Sequence, residues 1–152
     1  MKSRDVVLAG VLGALYIAIG LAIPFISFGA IQCRISDALY PLIAILGTPA
    51  LVGLTLGHVI YNLYGYSTGV ALGMLDVVGS PLLFLIAKLF IWKYGLRAVP
   101  IHVIFVALWV PYLLNSLFGL PYWPLVITVG IGEVVAEIVL GIPLAKAVET
   151  RL

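Results

Sequence analysis

The chain has 152 residues, of which 64% are hydrophobic and 9% charged, with eight Lys/Arg against six Asp/Glu and a mean hydropathy of +1.26. A soluble domain carries about 25% charged residues, so the solvent of this chain is lipid, and its length holds five or six spans of about 20 residues with no room for a soluble nucleotide-binding domain. The lone Cys33 rules out an internal disulfide and a cysteine-built metal site; no Gly-rich phosphate loop is present, and the scattered basic residues form no stripe for nucleic acid.

In chain order, the first apolar run covers Val6 to Ile23 and stops at Pro24. It is too long for a signal peptide and lacks a small-residue cleavage site, so it reads as a retained helix. A polar hairpin from Ser27 to Asp37 follows. The second run, Ala38 to Leu46, is short and interrupted by Pro41; the third, Ala50 to Tyr64, ends in a Gly65–Gly69 turn. Both are too short to cross a full bilayer alone, and they could together form one crossing plus a re-entrant piece. The fourth run covers Val70 to Trp92. The fifth, Val99 to Phe118, carries Pro111, and the sixth covers Tyr122 to Ala147.

Orientation follows from the basic residues. With six crossings and a cytoplasmic N-terminus, Lys2, Arg4, Lys88, Lys93, Arg97, Lys146 and Arg151 fall at or near the inner face, and Arg34 alone falls outside. The positive-inside rule selects this arrangement over its inverse. The expectation is an all-α integral membrane protein: one membrane domain over residues 1–152, a six-transmembrane-helix bundle, multi-pass in the plasma membrane, with both termini cytoplasmic.

Two features stand out. Gly10, Ala14, Ala18 and Ala22 recur at four-residue spacing on the first span, widened by Ala9 and Gly13. Such a stripe lets another backbone approach closely; it serves either packing inside the bundle or docking of a second membrane subunit. The other feature is a set of polar residues where lipid would penalise them. A charged carboxylate facing lipid costs at least about 2.5–3.5 kcal/mol, so these groups face the interior, a cavity or a partner. Gln32, Arg34, Asp37, Asn62, Asp76 and Asn115 fall in the outer half, with Ser80 one turn below Asp76, Tyr122 and Trp123 at an outer loop, and Glu133 and Glu137 one turn apart in the sixth run. Each has a plainer reading. Arg34 and Asp37 could clasp a hairpin, Asp76 and Ser80 could bond between helices, Glu133 and Glu137 could pair with Lys88 or remain protonated in the core, and His58 and His102 read as structural. Carboxylates, amides and aromatic rings together suit a planar heterocycle, and equally many other polar ligands.

The string IQCRISDAL, residues 31–39, resembles the Val/Ile-Gln-Phe-Arg-Ile-Ser-Glu-Ala-Leu motif of the QueT family, with Asp37 in the Glu position and Cys33 in the Phe position. The stretch Leu75-Asp76-Val77-Val78-Gly79-Ser80 is also similar to that family, and the resemblance covers about residues 27–88. It implies a substrate-binding S component of an energy-coupling factor (ECF) transporter. Such a protein is not an enzyme and has no cofactor or metal; it takes a queuosine precursor, a 7-deazaguanine, from outside. Its partners would be the bilayer, a transmembrane coupling subunit docked on Gly10, Ala14, Ala18 and Ala22, and two ATPases. The ligand set would be Gln32, Arg34, Asp37, Asn62, Asp76, Ser80, Asn115, Tyr122, Trp123 and Glu133. Two other readings stand beside it: a stand-alone proton-coupled transporter using Asp76, Glu133 and Glu137, and a non-transporting membrane scaffold.

Overall fold

A computed structural model describes residues 2–23, 33–69 and 72–152. Pro24, the hairpin from Ser27 through Gln32, and the Val70 start of the fourth run lie outside the described residues. Among the described residues, all regular structure is helical, and three stretches are long and apolar enough to cross a membrane: Ser3–Ala22, Leu75–Phe118 and Tyr122–Glu149.

Helix α1 is Ser3–Ala22. Helix α2 is Ile35–Leu46, a tight 3-10 coil over Ile35–Leu42 that relaxes into a short α-helical end. Pro41 lacks an N–H to donate, and the 3-10 form with its fixed φ accommodates it. Helix α3 is Thr48–Ser67, 20 residues, with Pro49 in its first turn. This corrects the sequence expectation: the third run matches α1 in length, and the sequence boundary fell short at its C-terminal end. Gly65 and Tyr66 continue the helix, which ends where the Ser67 and Thr68 hydroxyls donate to the Tyr64 carbonyl at 2.8 and 3.0 Å.

Helix α4 covers residues 75–94 and begins with a π-helical turn, Leu75–Gly79. A 3-10 turn, Gly95–Ala98, reverses the chain into α5, Val99–Phe118. Gly119 then adopts φ +67°, a conformation open to glycine, and closes α5. Helix α6 is Tyr122–Glu149 and carries a second π-helical stretch, Val134–Gly141.

Residue pairings give the helix directions. Gly13 lies against Gly53 and Gly57, and Gly20 against Tyr61, so α1 and α3 run parallel. Cys33 meets Gly132, while Ala38 and Pro41 meet Gly141, so the chain entering α2 runs parallel to α6. Ser80 meets Trp109 and Phe84 meets His102, making α4 and α5 antiparallel; His102 meets Glu137 and Leu108 meets Tyr122, making α5 and α6 antiparallel. Asn62 meets Asp76 and His58 meets Phe84, making α3 and α4 antiparallel; the six described helices therefore alternate in direction, and α1 starts at the end of the bundle where α6 finishes.

The α1–α3 contact depends on absent side chains. A Cβ on Gly13 would stand 2.8 Å from the Gly53 carbonyl oxygen, and one on Gly53 would stand 2.8 Å from Ala9 Cα. In lipid, where apolar side chains gain nothing by leaving solvent, such backbone approach is what holds helices together. Gly10, Ala14, Ala18 and Ala22 lie on the other face and are exposed. They line, in part, an apolar groove of about 500 Å³ between α1 and α3, with Gly10, Ala14, Ile17, Leu56 and Ile60 on its walls.

Candidate functional site

A polar core lies among the helices. Arg34, Ser36, Asp37, His58, Asn62, Asp76, Ser80, Lys88, His102, Glu133 and Glu137 are each at most 3% exposed. All six helices border it. Tyr16 comes from α1, Asp37 and Tyr40 from α2, His58 and Asn62 from α3, Asp76, Ser80 and Lys88 from α4, His102 from α5, and Glu133 and Glu137 from α6. Both π-helical stretches hold a buried carboxylate, Asp76 in one and Glu137 in the other. π-helical turns are rare and gather at functional sites.

One part of this core forms an ordered chain of hydrogen bonds. Arg34 Nη1 lies 2.9 Å from His58 Nε2, and His58 Nδ1 lies 2.9 Å from the Tyr40 hydroxyl. The Tyr40 hydroxyl donates to that of Tyr16 at 3.0 Å, which donates to Asp37 Oδ1 at 2.5 Å. Arginine only donates, so His58 Nε2 accepts. A neutral imidazole then carries its proton on Nδ1 and donates to Tyr40. Every member donates once, from guanidinium to carboxylate. The rings involved also stack: Tyr16 on Tyr40 at 5.5 Å between centroids, and His58 on Phe84 at 5.7 Å.

The remainder of the core is incomplete. Asn62 Nδ2 donates to the Asp76 carbonyl at 2.9 Å, Ser80 donates to Asp76 Oδ1 at 2.7 Å, and Trp109 donates to Ser80 at 2.9 Å. Asn62 Oδ1 and Asp76 Oδ2, however, are buried with no donor within reach. Farther along, His102 Nδ1 lies 2.6 Å from Glu137 Oε1, while Glu133 Oε2, Glu137 Oε2 and His102 Nε2 have no partner. Oxygens of Asp37, Glu133 and Glu137 lie within 4.8 Å of one another. By donor type this trio suits a hard cation, yet Asp37 Oδ1 is already engaged by Tyr16 and two basic side chains share the core. Acceptors in such a setting suit N–H donors.

The sequence candidates divide. Arg34, Asp37, Asn62, Asp76, Ser80 and Glu133 are in the polar core. Gln32 lies outside the described residues. Asn115 is exposed and braces the turn after α5 by donating to the Leu120 carbonyl at 2.6 Å. The Tyr122 hydroxyl donates to the Leu108 carbonyl at 3.2 Å and its ring borders an apolar groove of about 400 Å³, while Trp123 is 72% exposed. These three are peripheral to the core.

Sequence reasoning missed Tyr16 and Tyr40, gave Lys88 two places (at or near the inner face, or beside Glu133 and Glu137), and read His58 and His102 as structural. Lys88 was assigned to the inner face but is wholly buried. Its position held the signal: six residues before Tyr94 is about 9 Å along a helix, too deep for the surface. Glu137 faces His102 rather than pairing with Lys88.

A lipid-suited helical bundle around a buried polar core is the organisation of a membrane transport protein that handles a small polar molecule. The family model described as QueT transporter matches residues 6–150, nearly the whole chain. The chain belongs to the QueT transporter family. No match was found among curated proteins or solved structures.

Proposed function

We propose that this protein is the substrate-binding S component of an ECF-type transporter, capturing a 7-deazaguanine from outside for uptake through a separate coupling subunit and its two ATPases. In this reading the six helices are six crossings of the plasma membrane with both termini cytoplasmic. Two facts support that orientation. The helices alternate in direction, and six of the eight Lys/Arg (Lys2, Arg4, Lys93, Arg97, Lys146 and Arg151) sit at one end of the bundle.

The observation that carries the ligand reading is the set of buried acceptors without donors, at Asn62, Asp76, Glu133 and Glu137. Leaving a buried polar group unpaired costs about 1–3 kcal/mol, and a ligand rich in N–H groups removes that cost on binding. A guanine-like edge, flanked by the stacked rings around Phe84, fits this demand. Because the core is closed, the ligand enters when helices part and is held when they close. The exposed small-residue stripe of α1 supports docking to the coupling subunit.

The test is equilibrium binding of 7-deazaguanine to detergent-purified protein, paired with uptake in cells with and without an ECF module. Saturable binding and module-dependent uptake are expected; absence of either overturns the proposal. The proximity of Asp37, Glu133 and Glu137 favours a second reading, proton-coupled transport. That reading expects uptake without the module and its loss on adding an uncoupler.

A further inference from the structure

Lys88 is the anomaly of the polar core. It is wholly buried, and among the described residues no carboxylate lies within 4 Å of its Nζ. The Nζ rests 4.1 Å above the Tyr40 ring and 3.5 Å from His58 Nδ1. That nitrogen carries the proton it donates to Tyr40, so it cannot accept from an ammonium. The ring face gives a partial substitute for water, but the lysine's donors lack an acceptor. Tyr40 also meets His102 edge-on at 4.7 Å, His102 lies 2.6 Å from Glu137, and Glu137 and Glu133 each present an oxygen that lacks a donor.

A buried ammonium and buried carboxylates ordinarily pair, because leaving them apart forfeits the attraction that offsets desolvation. Here they stand around one aromatic ring without closing. Whatever completes them must accept from Lys88 and donate to the carboxylates within one small, flat molecule.

We propose that Lys88 reads a ring carbonyl of the ligand while Glu133 and Glu137 read the adjoining N–H groups. The ligand class is a cyclic lactam with a neighbouring amine, an acceptor beside two donors. Tyr40, Phe84 and His102, which meet edge-to-face at 4.7 and 5.3 Å, are the rings next to these groups, and a flat ligand would part them. Replacing the carbonyl with an amine sets donor against donor at Lys88, leaving the ammonium unmatched. Removing the oxygen leaves it unmatched as well, and both changes turn the adjoining ring N–H into an acceptor, which the carboxyl groups reject independently of Lys88. The assignment rests on the deazaguanine reading given above and adds which residue discriminates the 6-position.

The experiment compares three compounds by calorimetric titration of the full-length protein in detergent: 7-deazaguanine, its 6-amino counterpart, and the counterpart with hydrogen at position 6. The wild type is expected to bind the 6-oxo compound at least about 100-fold more tightly than either other, the scale on which a polar site rejects a ligand lacking its partner atom. In Lys88→Met the preference should shrink at least about tenfold, the remainder being held by Glu133 and Glu137, and Lys88→Arg should retain most of it. The ratio is taken within each variant, so loss of folded protein does not distort it. If the wild type binds all three alike, Lys88 reads no carbonyl, and that result stands even where no variant folds. If Lys88→Met keeps the wild-type preference, another group reads the carbonyl. If the wild type binds none of the compounds, the deazaguanine reading fails and this assignment falls with it.

Discussion

Two parts of the same core are built differently. From Arg34 through His58, Tyr40 and Tyr16 to Asp37, every step has a donor and an acceptor, and a cation begins the series that an anion ends. Around Lys88, Glu133, Glu137, Asn62 and Asp76, the groups are equally buried, but each carboxyl group and the Asn62 amide keeps an oxygen without a partner. A complete buried network lowers the energy of the fold and fixes helix positions. An incomplete one raises that energy unless something else supplies the missing bonds. The contrast underlies the proposal that the first part serves stability and the second ligand capture.

The assignment can be broken by substitutions on each side. The largest effect on stability is expected from Arg34→Met. It strips His58 Nε2 of its donor and leaves Asp37 at the anionic end of a series without its cation; the cost should be about 3–5 kcal/mol, as for one partner removed from a buried charged pair. Unfolding of the purified protein in detergent would measure it, and a loss below about 1 kcal/mol would mean that the network does not hold the fold. Tyr16→Phe removes only the hydroxyl that donates to Asp37, and should cost about 1.5–3 kcal/mol, the range for a hydrogen bond to a charged group.

The two faces of α1 sharpen the same comparison between finished and unfinished surfaces. Gly13→Ala brings a methyl to 2.8 Å from the Gly53 carbonyl and should lower the unfolding midpoint, whereas a Cβ at Gly10 meets nothing within 4 Å. Gly10→Leu should therefore leave midpoint and ligand affinity of the isolated protein unchanged. It should reduce co-purification with the coupling subunit, and intact co-purification would remove that face from the docking account.

Much of the fold was legible in the sequence because lipid imposes strong rules on length and charge. The ends of α1, α5 and α6 follow from apolar runs and bounding prolines and glycines. The end of α3 did not, because Gly65 and Tyr66 read as a turn while hydroxyl capping at Ser67 and Thr68 allows the helix to continue. Arg34, Asp37, Asn62, Asp76, Ser80 and Glu133 were recognisable as polar groups misplaced for lipid. Tyr16 and Tyr40 were not, since a tyrosine in an apolar run is ordinary until its hydroxyl has a known neighbour. Lys88 was counted at or near the inner face because the charge rule takes no account of depth, while its alternative place, in the core beside Glu133 and Glu137, came closer. Asn115 and Tyr122 carry the same side-chain chemistry as core residues, yet they serve helix ends, a distinction that depends on which face turns inward.

The most direct test pairs two readouts on Glu133→Gln. Its carboxyl group is buried with an oxygen lacking a partner, so the account predicts that 7-deazaguanine affinity falls about tenfold, the worth of one buried hydrogen bond, while the unfolding midpoint of the unliganded protein stays level or rises. Undiminished affinity together with a lowered midpoint would contradict the account, since Glu133 would then belong to the part of the core that holds the helices together.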